Sequence, residues 1–326
     1  MAHSARPSSP RIPSLQPGLD LASGCAAEDM GDRCKLCDEG LVIAPAGDHA
    51  FAEVCSHFGQ CRLCRGSGRR SSRDAQGYEF FAPCTLAGLR RRQTLFNAAR
   101  LPAQFARATF RSFDRTHQAE ALMLVSGAFS QLRAHGRDRS GRLKSQLRGV
   151  GLSGPPGVGK THLLVALARE LALDMGLSVQ FSDFSRLLWD LKACYSRGDS
   201  EAQLLAPLIA VDVLIIDELG KGRASEWELT ILDNLICGRY DRGAMTCVAT
   251  NFPRVEAGTL SNAQADKLSR DPDTTPLETL ASRVGPRIAS RLDAMCQWHT
   301  MSGPDARPGT WAAPQAVRKT GSLVRP

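Results

Sequence analysis

One octapeptide constrains this chain more than any other stretch. Gly154-Pro155-Pro156-Gly157-Val158-Gly159-Lys160-Thr161 satisfies the pattern Gly-x-x-x-x-Gly-Lys-Ser/Thr in full. A short apolar run, Gly149-Val150-Gly151-Leu152, precedes it, and the apolar run Leu163-Leu-Val-Ala-Leu-Ala168 follows. The order is therefore strand, glycine loop, helix. Glycines let the backbone curl so that several N–H groups converge on one hollow. The helix N-terminus adds its positive end. Lys160 is placed to reach the β- and γ-phosphates of a nucleotide, and the Thr161 hydroxyl to ligate Mg²⁺. His162 follows directly and is grouped with residues 154–161 as a candidate contact.

Such a cradle needs an acidic partner at the end of a later strand. Val211-Asp-Val-Leu-Ile-Ile-Asp217-Glu218 supplies it. The run reads as a buried strand with Asp217 at its C-terminal end, where parallel sheets place ligands. Asp217 is expected to hold Mg²⁺ through water, and Glu218 to polarise an attacking water. An Asp-Glu pair favours hydrolysis over transfer to a small acceptor. The next apolar strand ends in Thr250-Asn251. Asn251 is placed to orient the lytic water, or else to cap a turn. Arg283, Arg287 and Arg291 recur every four residues, which puts them on one face of a helix expected over 282–294. Such a cation can act on the phosphates of a neighbouring subunit, line a solvated stripe, or meet DNA. Arg307 is a further candidate for reaching back to phosphate.

From residue 148 onward strand and helix patterns alternate. Strands are expected at 148–153, 178–182, 211–217, 244–250 and 296–301. Helices are expected at 159–174, 184–197, 200–208, 225–240 and 282–294. The fold class is therefore α/β, a parallel sheet flanked by helices. Before it, helices are expected near 86–100 and over 117–134, with a basic surface loop at 136–147. Together 86–147 reads as a basic helical linker and 148–307 as the core. Residues 1–30 and 308–326 are rich in Pro, Ser and Gly without periodicity, and read as disordered and as a loose tail.

Seven of the eleven cysteines fall within the first 84 residues. Residues 31–85 are too poor in aliphatic runs to build a core, so this segment needs a metal to hold it. It contains a repeat. Cys34-Lys-Leu-Cys37, a glycine and a returning Cys55 are matched by Cys61-Arg-Leu-Cys64, a glycine and Cys84. Thiolates with two residues between them are pre-set for a tetrahedral Zn²⁺. Two pairings compete. Cys34, Cys37, Cys61 and Cys64 can form one Cys₄ ribbon. Alternatively each copy closes its own site, with His57 completing Cys34, Cys37 and Cys55, and with Cys61, Cys64 and Cys84 lacking an obvious fourth ligand. The remaining cysteines, Cys194, Cys237, Cys247 and Cys296, lie among apolar residues and read as core.

The chain carries a net charge of +8. Residues 86–150 hold 13 Lys and Arg against 3 Asp and Glu. Polyanions are natural partners of such a stretch, although a solvated basic face has the same composition. Phe96, Phe105, Phe110 and Phe113 lie in it as candidate base stackers, or as packing residues. No apolar run reaches the roughly 18–20 residues of a membrane span, and the N-terminus shows no secretory signal. The expected location is the cytoplasm.

With these residues in view, the chain resembles the AAA+ ATPases of the DnaC/IstB type, replicative helicase loaders and transposition helper ATPases. The resemblance covers about 86–307. It rests on Gly154-Pro-Pro-Gly-Val-Gly-Lys-Thr-His-Leu-Leu, Leu214-Ile-Ile-Asp-Glu-Leu-Gly, the Thr250-Asn251 strand end and Gly285-Pro-Arg-Ile-Ala-Ser-Arg291-Leu. Ala106-Arg-Ala-Thr-Phe-Arg-Ser-Phe-Asp114 is similar to the family's lead-in. The resemblance implies that Lys160 and Thr161 are Walker A contacts, Asp217 and Glu218 the Walker B pair, Asn251 sensor 1, Arg291 the arginine finger with Arg287 as rival, and Arg307 sensor 2. It also implies ATP-dependent homo-oligomers and binding of single-stranded DNA. No full lid domain follows Arg307, as in the loader branch. Residues 255–281 have no evident family counterpart. The cysteine repeat is similar, less specifically, to the zinc modules of DnaJ-type chaperones.

The expected function is a DNA-replication ATPase that loads a replicative helicase, with ATP, Mg²⁺ and Zn²⁺ bound. A transposition helper shares the same core and differs in its partner. A nucleotide-gated adaptor without turnover has no need of Glu218. A small-molecule phosphotransferase lacks a readable acceptor pocket.

Overall fold

The computed structural model describes residues 37, 39–56, 64, 67–138, 143–198, 200–254 and 278–307. Expectations for 1–30, for 308–326, for Cys34, His57 and Cys61, and for nearly all of the 255–281 insert fall outside those residues.

Five parallel strands form the central sheet: β5 (Gly149–Ser153), β6 (Val179–Asp183), β7 (Val213–Asp217), β8 (Met245–Thr250) and β9 (Cys296–Thr300), in the order β6-β7-β8-β5-β9. β7 is buried at every residue, as a strand covered on both faces must be. Its side chains alternate between two cores. Val213 and Ile215 face one cluster with Val150, Leu152, Phe181 and Cys247. Leu214 and Ile216 face the other with Val248 and Cys296. Each such side chain contributes roughly 1.5–3 kcal/mol by leaving water. Cys194, Cys247 and Cys296 are buried core residues as expected, and Cys237 is half-buried.

On the first face lie α1 (Thr85–Ala98), α2 (Ala119–His135) and α3 (Lys160–Leu173). α1 and α2 both pack on α3, and the Phe181 N–H at the sheet edge donates to Ala99 O at 2.9 Å. The basic lead-in thus shares the core. Its aromatics are used for packing, the second of the two readings open in the sequence: Phe96 and Phe113 are buried, and Phe105 and Phe110 pack against the same cluster.

On the second face lie α4 (Phe184–Arg197), α5 (Glu201–Ala210), α6 (Glu226–Asp241), α7 (Leu280–Val284) and α8 (Pro286–Met295). Asp183, Ser200 and Ser225 cap α4, α5 and α6 with side-chain oxygens on backbone N–H groups. The helix expected over 282–294 is two helices. Gly285, at φ 84°, separates them, and Pro286 opens the second. Arg283 therefore leaves the face that carries Arg287 and Arg291.

Arg239 is fully buried in α6. Its guanidinium donates to the carbonyls of Leu208 (2.7 Å), Ile209 (3.2 Å) and Val211 (3.0 Å) at the C-terminal end of α5, to Met245 O, and to Thr246 Oγ1 (2.8 Å). A cation thereby satisfies orphan carbonyls of a helix end. Burial lowers its pKa to about 10, so it stays charged near neutrality.

The cysteine repeat folds as two hairpins, β1–β2 (Leu41–Ala46, His49–Val54) and β3–β4 (Arg69–Arg73, Glu79–Pro83). Both close in the same way. Cys55 N–H donates to Gly40 O at 2.8 Å and Cys84 N–H to Gly68 O at 3.0 Å, each glycine having positive φ. Each returning cysteine is buried beside the glycine of its own copy. The first hairpin is joined to the lead-in. Asn97 Oδ1 accepts from Ala52 N–H at 2.7 Å, its Nδ2 donates to Ala52 O at 3.1 Å, and Ala50 N–H donates to Leu101 O at 2.7 Å.

Candidate nucleotide site

The phosphate loop leaves β5 at the C-terminal edge of the sheet and enters α3. Gly157 and Gly159 adopt φ of 81° and 98°, a region that L side chains rarely enter. Space excludes a side chain as well. A Cβ on Gly157 would lie 2.0 Å from Asp305 Oδ1, and one on Gly159 2.7 Å from the Phe113 ring. The C-terminal segment after β9 folds over the loop, with Ala306 N–H donating to Gly157 O at 3.1 Å.

Lys160 is buried, and its Nζ donates to Gly154 O (2.8 Å) and Pro155 O (2.7 Å). Burial lowers its pKa, and the charges of Asp217 and Glu218 oppose that shift. Thr161 Oγ1 donates to Asp217 Oδ2 at 2.7 Å, so the two groups expected to meet Mg²⁺ already face each other. Asp217 Oδ1 accepts from Glu218 N–H at 3.0 Å. Desolvation raises the Asp217 pKa to about 6 despite both hydrogen bonds. A buried, costly carboxylate beside a hydroxyl suits a hard cation that ligates oxygen.

Glu218 follows at φ 55°, a strained position for a non-glycine residue. Its Oε2 lies 2.6 Å from Lys221 Nζ. The two groups form an ion pair. Sequence reasoning missed Lys221, because nothing in the motif says which way the turn after Glu218 curls.

These groups surround a cavity of about 550 Å³. Lys160, Thr161, Asp217, Glu218, Asn251 and Arg307 all line it, as do the lead-in, Pro304 and Ala306. A second cavity, of about 1080 Å³, meets Thr161, Asp217 and Glu218 from the other flank. Its wall includes the tip of the first cysteine hairpin, where Asp48 pairs with Arg186 of α4 at 3.0 Å. His162 turns toward the lead-in: its Nε2 lies 3.1 Å from Thr109 O and 3.3 Å from Ser112 Oγ.

Arg287 and Arg291 line neither cavity. Both reach Asp233 of α6, at 3.5 and 3.4 Å, with side-chain exposures of 68% and 22%. The opposite face of α8 buries Ile288, Leu292 and Met295. Among the described residues no group of three or more His, Cys, Asp or Glu side chains is arranged to hold a metal.

Several known proteins share sequence with this chain. It is 28% identical over 185 residues to the phage-like element PBSX protein XkdC of Bacillus subtilis, a match covering 55% of this chain and 67% of that one. It is 34% identical over 125 residues to the replicative helicase loader DnaC of Escherichia coli, covering 38% and 49%. It is 37% identical over 94 residues to the insertion sequence IS21 putative ATP-binding protein of Pseudomonas aeruginosa, covering 29% and 35%. The last two matches thus span about half or less of those relatives. The family model for IstB-like ATP binding proteins matches residues 86–260, more than half of the chain and a span that contains the phosphate loop, Asp217, Glu218 and Asn251. The chain belongs to the IstB-like ATP-binding protein family.

Proposed function

We propose that this protein is a Mg²⁺-dependent ATPase that works as a helicase loader of the DnaC kind on single-stranded DNA. One observation carries the ATPase reading: Lys160, Thr161, Asp217, Glu218, Asn251 and Arg307 converge on one cavity. Lys160 and Arg307 meet phosphate charge, Thr161 and Asp217 hold Mg²⁺, Glu218 polarises water and Asn251 orients it. Arg287 and Arg291, which line neither cavity, serve a neighbouring subunit in an ATP-dependent homo-oligomer. Arg287 is the more exposed of the two. The loader reading is supported by the DnaC relative, and it puts the protein in the cytoplasm with the replicative helicase as partner.

Single-stranded DNA is assigned here to the second hairpin. Phe81 is 75% exposed, and the small Ser71 stands opposite it. Arg69 and Arg73 flank that serine on the same face. An exposed ring beside Arg69 suits a stacked base and its phosphate, and Arg73 on the same face is paired with Glu79 at 2.8 Å.

Zinc is proposed for the cysteine repeat. Thiol donors at knuckle spacing fit that metal, and the closure of each hairpin on its own glycine favours one site per copy, with Cys37 and Cys55 in the first and Cys64 and Cys84 in the second. Cys34 and His57 of the first copy and Cys61 of the second are the further candidate donors, and the second copy still lacks an obvious fourth ligand. Reduced, unstripped protein is expected to contain zinc. Less than about half an equivalent per chain refutes this.

The family model and the IS21 relative favour a second reading, a transposition helper. Affinity capture with ATP separates the two. Recovery of the replicative helicase supports the loader, recovery of a transposase supports the helper, and capture of neither removes the loader assignment.

A further inference from the structure

The turn after the Walker B strand is held from outside by an arginine. Arg283 Nε donates to Gly220 O at 3.1 Å, and its Nη2 donates to Gly222 O. Its Nη1 pairs with Glu278 at 3.2 Å, and its side chain is only 16% exposed. The guanidinium lies over the Phe252 ring, 5.1 Å from the centroid. Phe252 adjoins Asn251. The turn itself is short and closely fitted. Lys221 N–H donates to Glu218 O at 3.0 Å and Gly222 N–H to Gly220 O at 3.0 Å. Gly220 sits at φ 87° between the Phe252 ring and Arg283. On the inner side, Leu219 N–H donates to Ala249 O at 2.8 Å, and Thr250 Oγ1 donates to Leu219 O at 2.8 Å.

Three elements therefore meet at one guanidinium. One is the turn that begins with Glu218. The second is the strand end with Asn251. The third is α7, which Gly285 alone separates from the helix bearing Arg287 and Arg291. A planar fork of donors can hold two carbonyls and lie flat on a ring at once, which an ammonium cannot.

We propose that Arg283 is a positioning residue for Glu218. It sets the turn so that the Glu218 carboxylate faces the nucleotide cavity, and it ties that setting to the helix that presents Arg287 and Arg291. It touches neither nucleotide nor water. The proposal rests on Glu218 being the general base.

The test uses the full-length chain as wild type, R283A, R283K and E218Q. ATP affinity is measured with a fluorescent analogue, turnover at saturating ATP and Mg²⁺, and stability by thermal melting. R283A is expected to bind within twofold of wild type and to turn over at least tenfold more slowly. R283K is expected to fall between. A merely structural role would lower affinity and turnover together, and that result, or R283A turnover within twofold of wild type, overturns the proposal. If R283A melts below the assay temperature, R283K decides: a threefold or larger fall in turnover at unchanged affinity supports the proposal, and wild-type turnover overturns it. E218Q separates the two claims. A wild type no faster than E218Q removes the base assignment and the proposal with it. An active wild type, an inactive E218Q and an R283A at wild-type rate remove the proposal alone.

Discussion

Thr161 Oγ1 donates a 2.7 Å hydrogen bond to Asp217 Oδ2, and that carboxylate is buried enough for its pKa to reach about 6. A carboxyl whose folded pKa lies above its ordinary 3.8 binds its proton more tightly folded than unfolded. Its contribution to stability is fully present below about pH 4 and is lost as pH rises through about 6. Asp217→Asn keeps an acceptor for Thr161 and removes the ionisation. Melting experiments are expected to show D217N more stable than wild type at pH 7.5, by on the order of 2 kcal/mol, and no more stable at pH 4. Mg²⁺-dependent turnover is lost in the same variant. A pH-independent difference between the two proteins contradicts this account.

Lys221 holds the Glu218 carboxylate at 2.6 Å in a half-exposed pair. Pairs of this exposure contribute about 0.5–1 kcal/mol. Releasing Glu218 with K221M should therefore raise basal ATP turnover by roughly two- to fivefold, with E218Q inactive in either background. Steady-state phosphate release is the measurement, and a rate at or below wild type refutes the restraining role of Lys221.

Arg239→Met removes the guanidinium at the end of α5 and leaves the part-buried carbonyls of Leu208, Ile209 and Val211 and the buried carbonyl of Met245 without that donor. Unsatisfied buried groups cost about 1–3 kcal/mol each, so a loss of at least about 3 kcal/mol is expected, seen as a fall in Tm of about 6 °C or more. Lysine brings a single ammonium to the same carbonyls and is expected to recover only part of it. A Tm within 2 °C of wild type for R239M (a drop of well under about 1 kcal/mol) contradicts the capping role.

Phe81→Ala should weaken binding of labelled oligo-dT at least fivefold, since base stacking contributes about 1–3 kcal/mol. R69A with R73A should lower affinity and also flatten its salt dependence. An F81A protein that binds as wild type moves the DNA surface elsewhere, and a salt slope unchanged by the double variant identifies the hairpin as a protein-facing surface.

The strand–helix order, all five strands of the sheet and the phosphate loop were legible in the sequence, because short continuous apolar runs and a glycine loop are local signals. Side-chain destinations were less legible. The lead-in phenylalanines read in sequence as stackers or as packing residues, and their long-range contacts with the core decide for packing. The arginine triplet looks like one helical face, yet Gly285 at φ 84° breaks it and turns Arg283 toward the turn at 218–222. Lys221 and Asp305 reach the site through tertiary folding alone, with no motif to announce them.

The pairing of Asn97 with both backbone groups of Ala52 bears on how such a protein can be taken apart. Ala50 and Ala52 are buried against the lead-in, so the first hairpin closes a seam of the ATP-binding core and is not a removable appendage. A truncation beginning at residue 86 would leave Asn97 facing water and open the floor beneath Leu101. Recombination between relatives is accordingly least damaging when hairpin and α1 travel together, and a graft that exchanges the cysteine hairpin alone must carry its own answer to Asn97.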